Sequence, residues 1–315
     1  MSDERNQSGL VPSGNRGLAT RSSSLVRRGL ETLLSLQPHI VRFPPDRSMG
    51  TLLLYDRSAH WSDVVPEEIG EAQGNVTVRA GKDLFLEVNE EASTDLSPLA
   101  ALGPNELQLL NLGCTHVNDA SLAYLEALSA LHTLFLHSTH VSDAGLVHLH
   151  RLTALQELCL MGTQVTGPGL ANLQHLSALK QLTLSETQVN DSALVHLKSL
   201  TSLKVLFLDN TQVGDVGLIN LHHLTALQSL DLGSTQVSNA GLAHLQGLLT
   251  LQWLCLDETQ VSDAGLVHLQ GLRALHSLSL ARTQVSDAGI ANLQRALPNC
   301  HITRRGAFAI SSQIR

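Results

Sequence analysis

The sharpest candidate for catalysis in this sequence is a cysteine paired with a histidine. Cys159 and His137 occupy neighbouring copies of the internal repeat described below, offset by two residues. One strand spacing plus that offset separates them by about 8 Å, too far for the hydrogen bond that a thiol nucleophile needs from its base. No glycine-rich phosphate loop and no H-E-x-x-H motif is present. The sequence therefore predicts no catalytic residues and a protein that is not an enzyme.

Metal binding is the second chemistry to consider, because the chain contains 16 histidines. Zinc needs three or four ligands within about 2.3 Å of one point. The most regular row is the eighteenth position of the repeat, where only two histidines come from consecutive copies; the row is Tyr124, His148, Asn172, His196, Asn220, His244, His268 and Asn292. Such a row does not supply a coordination sphere, so we expect no metal site and no cofactor.

Both candidates lie in a repeat of 24 residues. The segment Leu131–Leu136 has the pattern L-x-x-L-x-L, and the same pattern begins at Leu107, Leu131, Leu155, Leu179, Leu203, Leu227, Leu251 and Leu275. The eight copies follow one another without insertion or deletion. The ninth position is always Thr and the eleventh is always Val. Periodicity on this scale indicates a stack of identical structural units.

Each unit is predicted to contain a strand, a turn and a short helix. The leucines of Leu131–Leu136 alternate and share one face of a strand, whereas those of 146–152 form one stripe on a helix. Ser142 or Asp143 suits the helix N-cap, and the aspartate complements the helix dipole. A single unit cannot bury its leucines, so neighbouring units must stack.

The pattern L-x-x-L-x-L-x-x-T-x-V-x-D-A-G-L-x-x-L resembles the leucine-rich repeat family over residues 107–302. It is most similar to 24-residue bacterial repeats, and its helix-bearing unit to the ribonuclease-inhibitor and F-box types. The resemblance implies an α/β fold: a leucine-rich repeat solenoid that curves as a right-handed superhelix. A parallel β-sheet would line its concave face and short helices its convex face.

Two features depart from the family pattern. The ninth position of the family is usually Asn, which forms a buried hydrogen-bond ladder, but here it is Thr throughout. The Thr hydroxyl must then satisfy the backbone of the turn with one oxygen. The second departure is Pro168 near a helix start, where the first helical turn tolerates proline.

Composition narrows the class of partner. The formal net charge of −8 disfavours nucleic acid and anionic membranes. No apolar run is long enough to span a bilayer, and 1–20 shows no secretory signal. Four widely spaced cysteines do not resemble a disulfide framework. These observations predict a cytoplasmic protein, although export without a signal stays open.

The ends of the array need caps. We predict a disordered segment at 1–24, an N-terminal helix and small β capping region at 25–106, the repeat domain at 107–302 with a truncated last strand, and a tail at 303–315. Strands are expected at 51–55 and within 75–88, and a degenerate helix stripe at 96–102. The helix at 25–36 could pack on the cap, dock a partner or lie on a membrane surface.

The third, fifth, seventh and eighth positions of each unit are free to vary, so they carry any binding specificity. Aromatic rings among polar groups are typical of binding hot spots. Of the residues at these positions only Arg282 is basic. The predicted partner-binding residues are Phe135, His137, Glu157, Glu186, Phe207, Asp209, Asp231, Trp253, Asp257 and Glu258. One patch is predicted to bind a basic or mixed protein surface; it consists of Asp231, Trp253, Cys255, Asp257 and Glu258.

Three functions are compatible with these features. The first is a non-catalytic scaffold that binds a partner protein on the concave face. The second is substrate recognition within a ubiquitin ligase or a secreted effector, which some family members perform. The third is a structural spacer. The sequence does not identify the partner or the oligomeric state.

Overall fold

The computed structural model describes residues 37–60 and 63–304. The predicted segments at 1–24 and 25–36 and most of the predicted tail lie outside the described residues. Within them the strands are β1 His39–Arg42, β2 Gly50–Asp56, β3 Glu67–Glu71, β4 Asn75–Val78, β5 Lys82–Val88, β6 Leu109–Asn111, β7 Thr133–Phe135, β8 Glu157–Cys159, β9 Gln181–Thr183, β10 Val205–Phe207, β11 Ser229–Asp231, β12 Trp253–Cys255, β13 Ser277–Ser279 and β14 His301–Thr303.

The helices have three to ten residues, because each 24-residue unit leaves little room beside its strand and turns. Most are 3₁₀ helices, at Ala92–Thr94, Ser97–Ala101, Asp119–Leu125, Gly145–Arg151, Ala171–Leu173, Asp191–Ser199, Ile219–His223, Ala243–Leu245 and Leu266–Leu269. The α-helices are Gly167–Leu170, Asp215–Leu218, Asn239–Leu242 and Asp287–Ala296. Pro168 lies in the first turn of its helix, as expected. No helix among the described residues combines the length and apolar character needed to cross a membrane.

One sheet runs through the whole array. Strands β6 to β14 pair in parallel, each with its successor in the sequence, and β5 continues the parallel order beside β6. At this end β2 and β3 add two antiparallel strands, whereas β1 pairs with β4 in a separate ribbon. The predicted strands at 51–55 and 75–88 therefore exist, but β4 and β5 pair with different partners.

The predicted leucine-rich repeat fold is confirmed by the position of the leucines. Those of the strand pattern, such as Leu134 and Leu136, are fully buried, and so are those of the helix stripe, such as Leu146 and Leu149. They belong to one continuous core that extends from Val41 to Cys300. Removal of this apolar surface from water at about 25 cal/mol per Å² is the main contribution that holds the units together.

The Thr of the ninth position satisfies the turn of its own unit. In each unit its hydroxyl donates to the carbonyl of the Leu three residues earlier, as from Thr115 to Leu112 at 2.6 Å and from Thr259 to Leu256 at 2.6 Å. The residue before this Thr has positive φ in every unit, for example 57° at Glu258. One hydroxyl thus replaces the amide of the usual Asn, as the sequence required.

The aspartate at the thirteenth position of the unit, predicted as a possible N-cap at Asp143, does not cap its own helix. Asp119 instead accepts hydrogen bonds from the next unit, from the Ser142 backbone N–H at 2.7 Å and its hydroxyl at 2.6 Å. Asp215 accepts the same pair from Ser238. The correction has a simple cause, because the neighbouring unit presents an N–H and a hydroxyl to the same carboxylate. Capping by the side chain one residue earlier does occur, as at Ser238.

This carboxylate also explains a glycine in the following unit. A Cβ at Gly145 would approach Asp119 Oδ1 at 2.5 Å, and a Cβ at Gly217 would approach Asp191 Oδ1 at 2.5 Å. One unit has Gly167 in place of the aspartate, and there the next unit carries Ala193 in place of the glycine. The methyl group of Ala193 fits because no side-chain oxygen faces it, whereas Asn239 in another unit still places its Oδ1 2.5 Å from a Cβ at Gly265.

Candidate functional site

The sheet face opposite the leucine core, here called the concave face, consists of two parts. Its third-position side chains are buried at Leu109, Thr133 and Glu157, but partly exposed from Gln181 to Ser277. We call the part formed by β5–β8 the covered surface and the part formed by β9–β13 the open surface. Accessibility therefore changes between β8 and β9, although the repeat pattern itself does not.

The covered surface is a second, smaller apolar core. Tyr55 and Phe85 pack with their ring centroids 5.8 Å apart. They join Leu109, Phe135 and Cys159 in one buried cluster. Leu53, Val64 and Met161 pack against it. Residues that precede the repeats thus fill the concave face over its first strands.

Polar contacts attach the chain that follows β2 to the covered surface. Arg57 Nε donates to Asp83 at 2.6 Å, and His132 Nε2 lies 3.2 Å from the other oxygen of Asp83. Burial by itself would raise the pKa of Asp83, but the hydrogen bonds from His132 and Arg57 lower it below its usual range. His60 Nε2 lies 2.7 Å from the buried carboxylate of Glu157. This contact reaches β8, the last strand of the covered surface.

Three of the predicted binding residues lie in the covered surface, which corrects the expectation that they are exposed. Phe135 and Glu157 are each only 6% exposed. His137 is half-buried, its ring lies against Gly113, and burial lowers its pKa. The Nδ1 atom of His137 is buried without a hydrogen-bond partner. These residues are occupied by the chain's own packing, which the repeat pattern alone does not reveal.

Cys159 lacks the properties of a nucleophile. Its side chain is buried, and burial raises the pKa of the thiol to about 11, against weaker opposing effects from Met161 and Thr183. A thiol with this pKa carries almost no thiolate at neutral pH. Among residues 37–60 and 63–304 no group of three metal-ligating side chains converges.

The open surface contains the remaining seven predicted residues. Trp253 is partly exposed, and its ring meets that of Phe207 edge-on, with centroids 6.0 Å apart. Phe207 itself is only 5% exposed, so it supports Trp253 and is not an independent contact. Of the three rings predicted on the concave face, Trp253 therefore offers the accessible one.

Three carboxylates lie towards one end of the strands that carry this aromatic pair: Asp231 on β11, Asp209 just after β10 and Asp257 just after β12. Asp231 lies on β11 in register with Phe207 and Cys255, and its Oδ1 accepts the Gly233 N–H at 2.9 Å. Burial raises the pKa of Asp231 to about 7, with a further increase from the negative charge of Asp209 and a smaller one from Asp257. Burial and the charge of Asp231 likewise raise the pKa of the Cys255 thiol.

Hydrogen bonds hold Asp209 and Asp257 in place, and two further carboxylates stand at the rim of the open surface. Asp257 Oδ1 accepts from the Ser279 hydroxyl at 2.5 Å and from the Ala281 N–H at 2.7 Å, and Asp209 accepts from the Ser185 hydroxyl. Glu186 and Glu258 are themselves turn residues with a left-handed backbone conformation, and both are exposed. Arg282 Nη1 donates to Glu258 at 2.5 Å. The rim is therefore strongly acidic.

Sequence reasoning missed the residues that close the covered surface. Tyr55 and His60 lie outside the repeat, where no periodic signal marks their direction. Phe85 stands in the third position of a strand that pairs with β6 in repeat register. Its placement could have been found by extending the leucine pattern one unit towards the N-terminus.

Comparison with known proteins agrees with this architecture. No family model and no curated protein matches the sequence. Among solved structures, internalin C2 from Listeria monocytogenes is 28% identical with a TM-score of 0.54, and the match covers 67% of this chain and 92% of that one. Internalin F from the same organism is 22% identical with a TM-score of 0.49, covering 70% and 82%. Internalins are leucine-rich repeat proteins.

Proposed function

Because the chain is a leucine-rich repeat protein, we propose that it is a non-catalytic scaffold that binds a partner protein on its open surface. Solenoids of this kind present an extended face whose variable side chains are free to bind. The likeness to internalin C2 supports a protein-interaction scaffold in general. The narrower assignment to the open surface rests on the concave face itself.

One observation carries that assignment. The chain covers β5–β8 with Tyr55 and His60 from outside these strands, yet Trp253 stays accessible on β9–β13, near carboxylates. An accessible tryptophan surrounded by polar groups is the usual centre of an interface hot spot. The excess of negative charge favours a partner with a basic or mixed surface and disfavours nucleic acid.

The other two functions lack a specific observation in their favour. A role in a ubiquitin ligase or secreted effector would need a docking element, and the predicted helix at 25–36 lies outside the described residues. A spacer would not need an accessible tryptophan. Cytoplasmic localisation stays a prediction from the four separated cysteines, all of which are free.

Selection from a random peptide library with the full chain as bait tests the proposal. The affinity of the selected peptides is then measured by fluorescence anisotropy for the wild type, Trp253→Ala and Tyr124→Ala. Tyr124 is an exposed ring on the helical side and serves as the matched control. We expect Trp253→Ala to weaken binding by about 10-fold or more and Tyr124→Ala to leave it unchanged. Equal affinities for all three proteins would contradict the proposal.

A further inference from the structure

The centre of the open surface carries a negative charge that the described chain leaves without a cation. Among residues 37–60 and 63–304, no Lys, Arg or His forms an ion pair with Asp209 or Asp231 (Arg282, the basic residue at the variable positions, pairs with Glu258). The side chain of Asp231 has an N–H and a thiol as neighbours, and two further carboxylates stand nearby. A carboxylate in such a setting gains from an incoming positive charge more than an exposed one would.

An apolar wall stands beside this carboxylate. Phe207 is the direct neighbour of Asp231 on β10, and Trp253 lies diagonally from it on β12, at about 8 Å between Cα atoms by strand geometry. A side chain whose guanidinium or ammonium group reaches Asp231 can therefore lay its stem against the tryptophan ring. Arginine and lysine carry apolar stems and are attracted to aromatic faces, so their chemistry matches both parts of this site.

We infer that the partner segment bound by the open surface places one arginine or lysine side chain against Asp231, with its stem on Trp253. This inference rests on the proposed function and specifies the chemistry of the partner. Asp209 and Asp257 flank the incoming charge from β10 and β12 and add to the attraction. Their hydrogen bonds to Ser185 and Ser279 hold both carboxylates in place before binding. The remaining rim residues then select among basic partners.

Ion-pair formation at this site should depend on pH. The groups that face Asp231 from the neighbouring strands are Asp209, the Cys255 thiol and Asp257, and none of them supplies a positive charge. With a pKa of about 7, Asp231 is largely protonated at pH 6 and ionised at pH 8. Because the cation binds the ionised form, affinity should fall roughly 10-fold between pH 8 and pH 6.

The test uses peptides selected on the full chain whose binding requires Trp253. Each arginine of a peptide is replaced in turn by citrulline and each lysine by acetyl-lysine, which remove the charge and keep a similar shape. Affinities are measured for the wild type, Asp231→Asn, Asp209→Asn and the control Asp287→Asn, whose carboxylate is exposed far from this face. Thermal unfolding of each variant verifies that it is folded.

One of these neutralising replacements should weaken binding to the wild type about 10-fold or more. The same replacement should have little further effect on Asp231→Asn, and that variant should lose the pH dependence. Asp209→Asn should weaken binding by a smaller factor, and Asp287→Asn should match the wild type.

Three outcomes would overturn the inference. Trp253-dependent peptides that contain no cation, or that bind equally well after neutralisation of each arginine and lysine, would refute it while leaving the proposed function intact. Failure to obtain any Trp253-dependent peptide would refute both. A dimer of the full chain in sedimentation that is lost in Trp253→Ala but persists in Asp231→Asn would show that a second copy occupies the surface without this ion pair.

Discussion

The covered and open surfaces are made by the same repeat, yet they differ in what contacts them. In both, the fifth-position row includes rings and a thiol, such as Phe135 and Cys159 in one and Phe207 and Cys255 in the other. Tyr55 and Phe85 bury the first pair, whereas carboxylates and an accessible Trp253 surround the second. A repeat therefore fixes where side chains stand, and sequence outside the repeat decides which of them are available.

The largest difference should appear when a ring is removed from each surface. Phe135→Ala should lower the free energy of unfolding by about 3–5 kcal/mol, because it opens a cavity in a buried cluster. Trp253→Ala should lower the free energy of unfolding by clearly less, since that ring is partly exposed. Urea denaturation of both variants measures the contrast, and equal losses would mean that the open surface is also part of a packed core.

The next effect concerns the pH dependence of stability. The pKa of Asp231 is raised to about 7 from an ordinary value of 3.8, so between those values the folded state holds a proton that the unfolded state has released. Stability should therefore fall as the pH rises from about 4 to 7, and the loss should be complete above pH 7. At pH 8 the free energy of unfolding of Asp231→Asn should exceed that of the wild type by roughly 2–4 kcal/mol.

The two proteins should be about equally stable at pH 4, where Asp231 is protonated in the folded state and half-protonated in the unfolded state. Denaturation curves at pH 4, 6 and 8 provide the comparison. A constant difference at all three values would show that ionisation of Asp231 is not the cause.

Changes on the helical side should act alike on both surfaces. Gly145→Ala, behind the covered surface, and Gly217→Ala, behind the open one, each bring a methyl group against an aspartate of the preceding unit. Each should cost about 1–3 kcal/mol through overpacking. Asp191→Gly should rescue Gly217→Ala, since it recreates the natural Gly167–Ala193 pair. If thermal unfolding shows that the double variant is no more stable than Gly217→Ala, the carboxylate is not the source of the clash.

The smallest predicted effect is a difference in stability between variants of two ion pairs, one on each surface. Glu157→Gln weakens a buried contact with His60 on the covered surface and should cost about 1 kcal/mol or slightly more. Glu258→Gln weakens an exposed contact with Arg282 on the open surface and should cost less than about 1 kcal/mol. Chemical denaturation of both variants in parallel at pH 7 measures the two losses of stability. A larger loss for Glu258→Gln than for Glu157→Gln would contradict the distinction between the covered and open surfaces.

Much of the fold could be predicted because the same hydrophobic pattern recurs in eight consecutive units. Leu134 and Leu146 were placed correctly from spacing alone, and the Thr115 hydroxyl was expected to satisfy its turn. The aspartate was misassigned because its partner, Ser142 in the case of Asp119, comes from the next unit. A pattern within one unit cannot show which neighbour presents a hydrogen-bond donor.

The candidate site was predictable only in part. The alternation of strand positions correctly placed Asp231 and Trp253 on the concave face, but it could not distinguish them from Phe135 and Glu157. That distinction depends on Tyr55 and other residues in a non-repetitive segment, where sequence periodicity gives no direction. The raised pKa of Asp231 likewise depends on burial and on charges brought together across three strands.

Covalent footprinting of the full chain, with and without a selected peptide, tests most directly whether the open surface binds the partner. Modification of Trp253 should decrease strongly in the complex, while modification of Tyr124 on the helical side should stay constant. Protection of Tyr124 with Trp253 unchanged would place binding on the opposite face and contradict the proposed function.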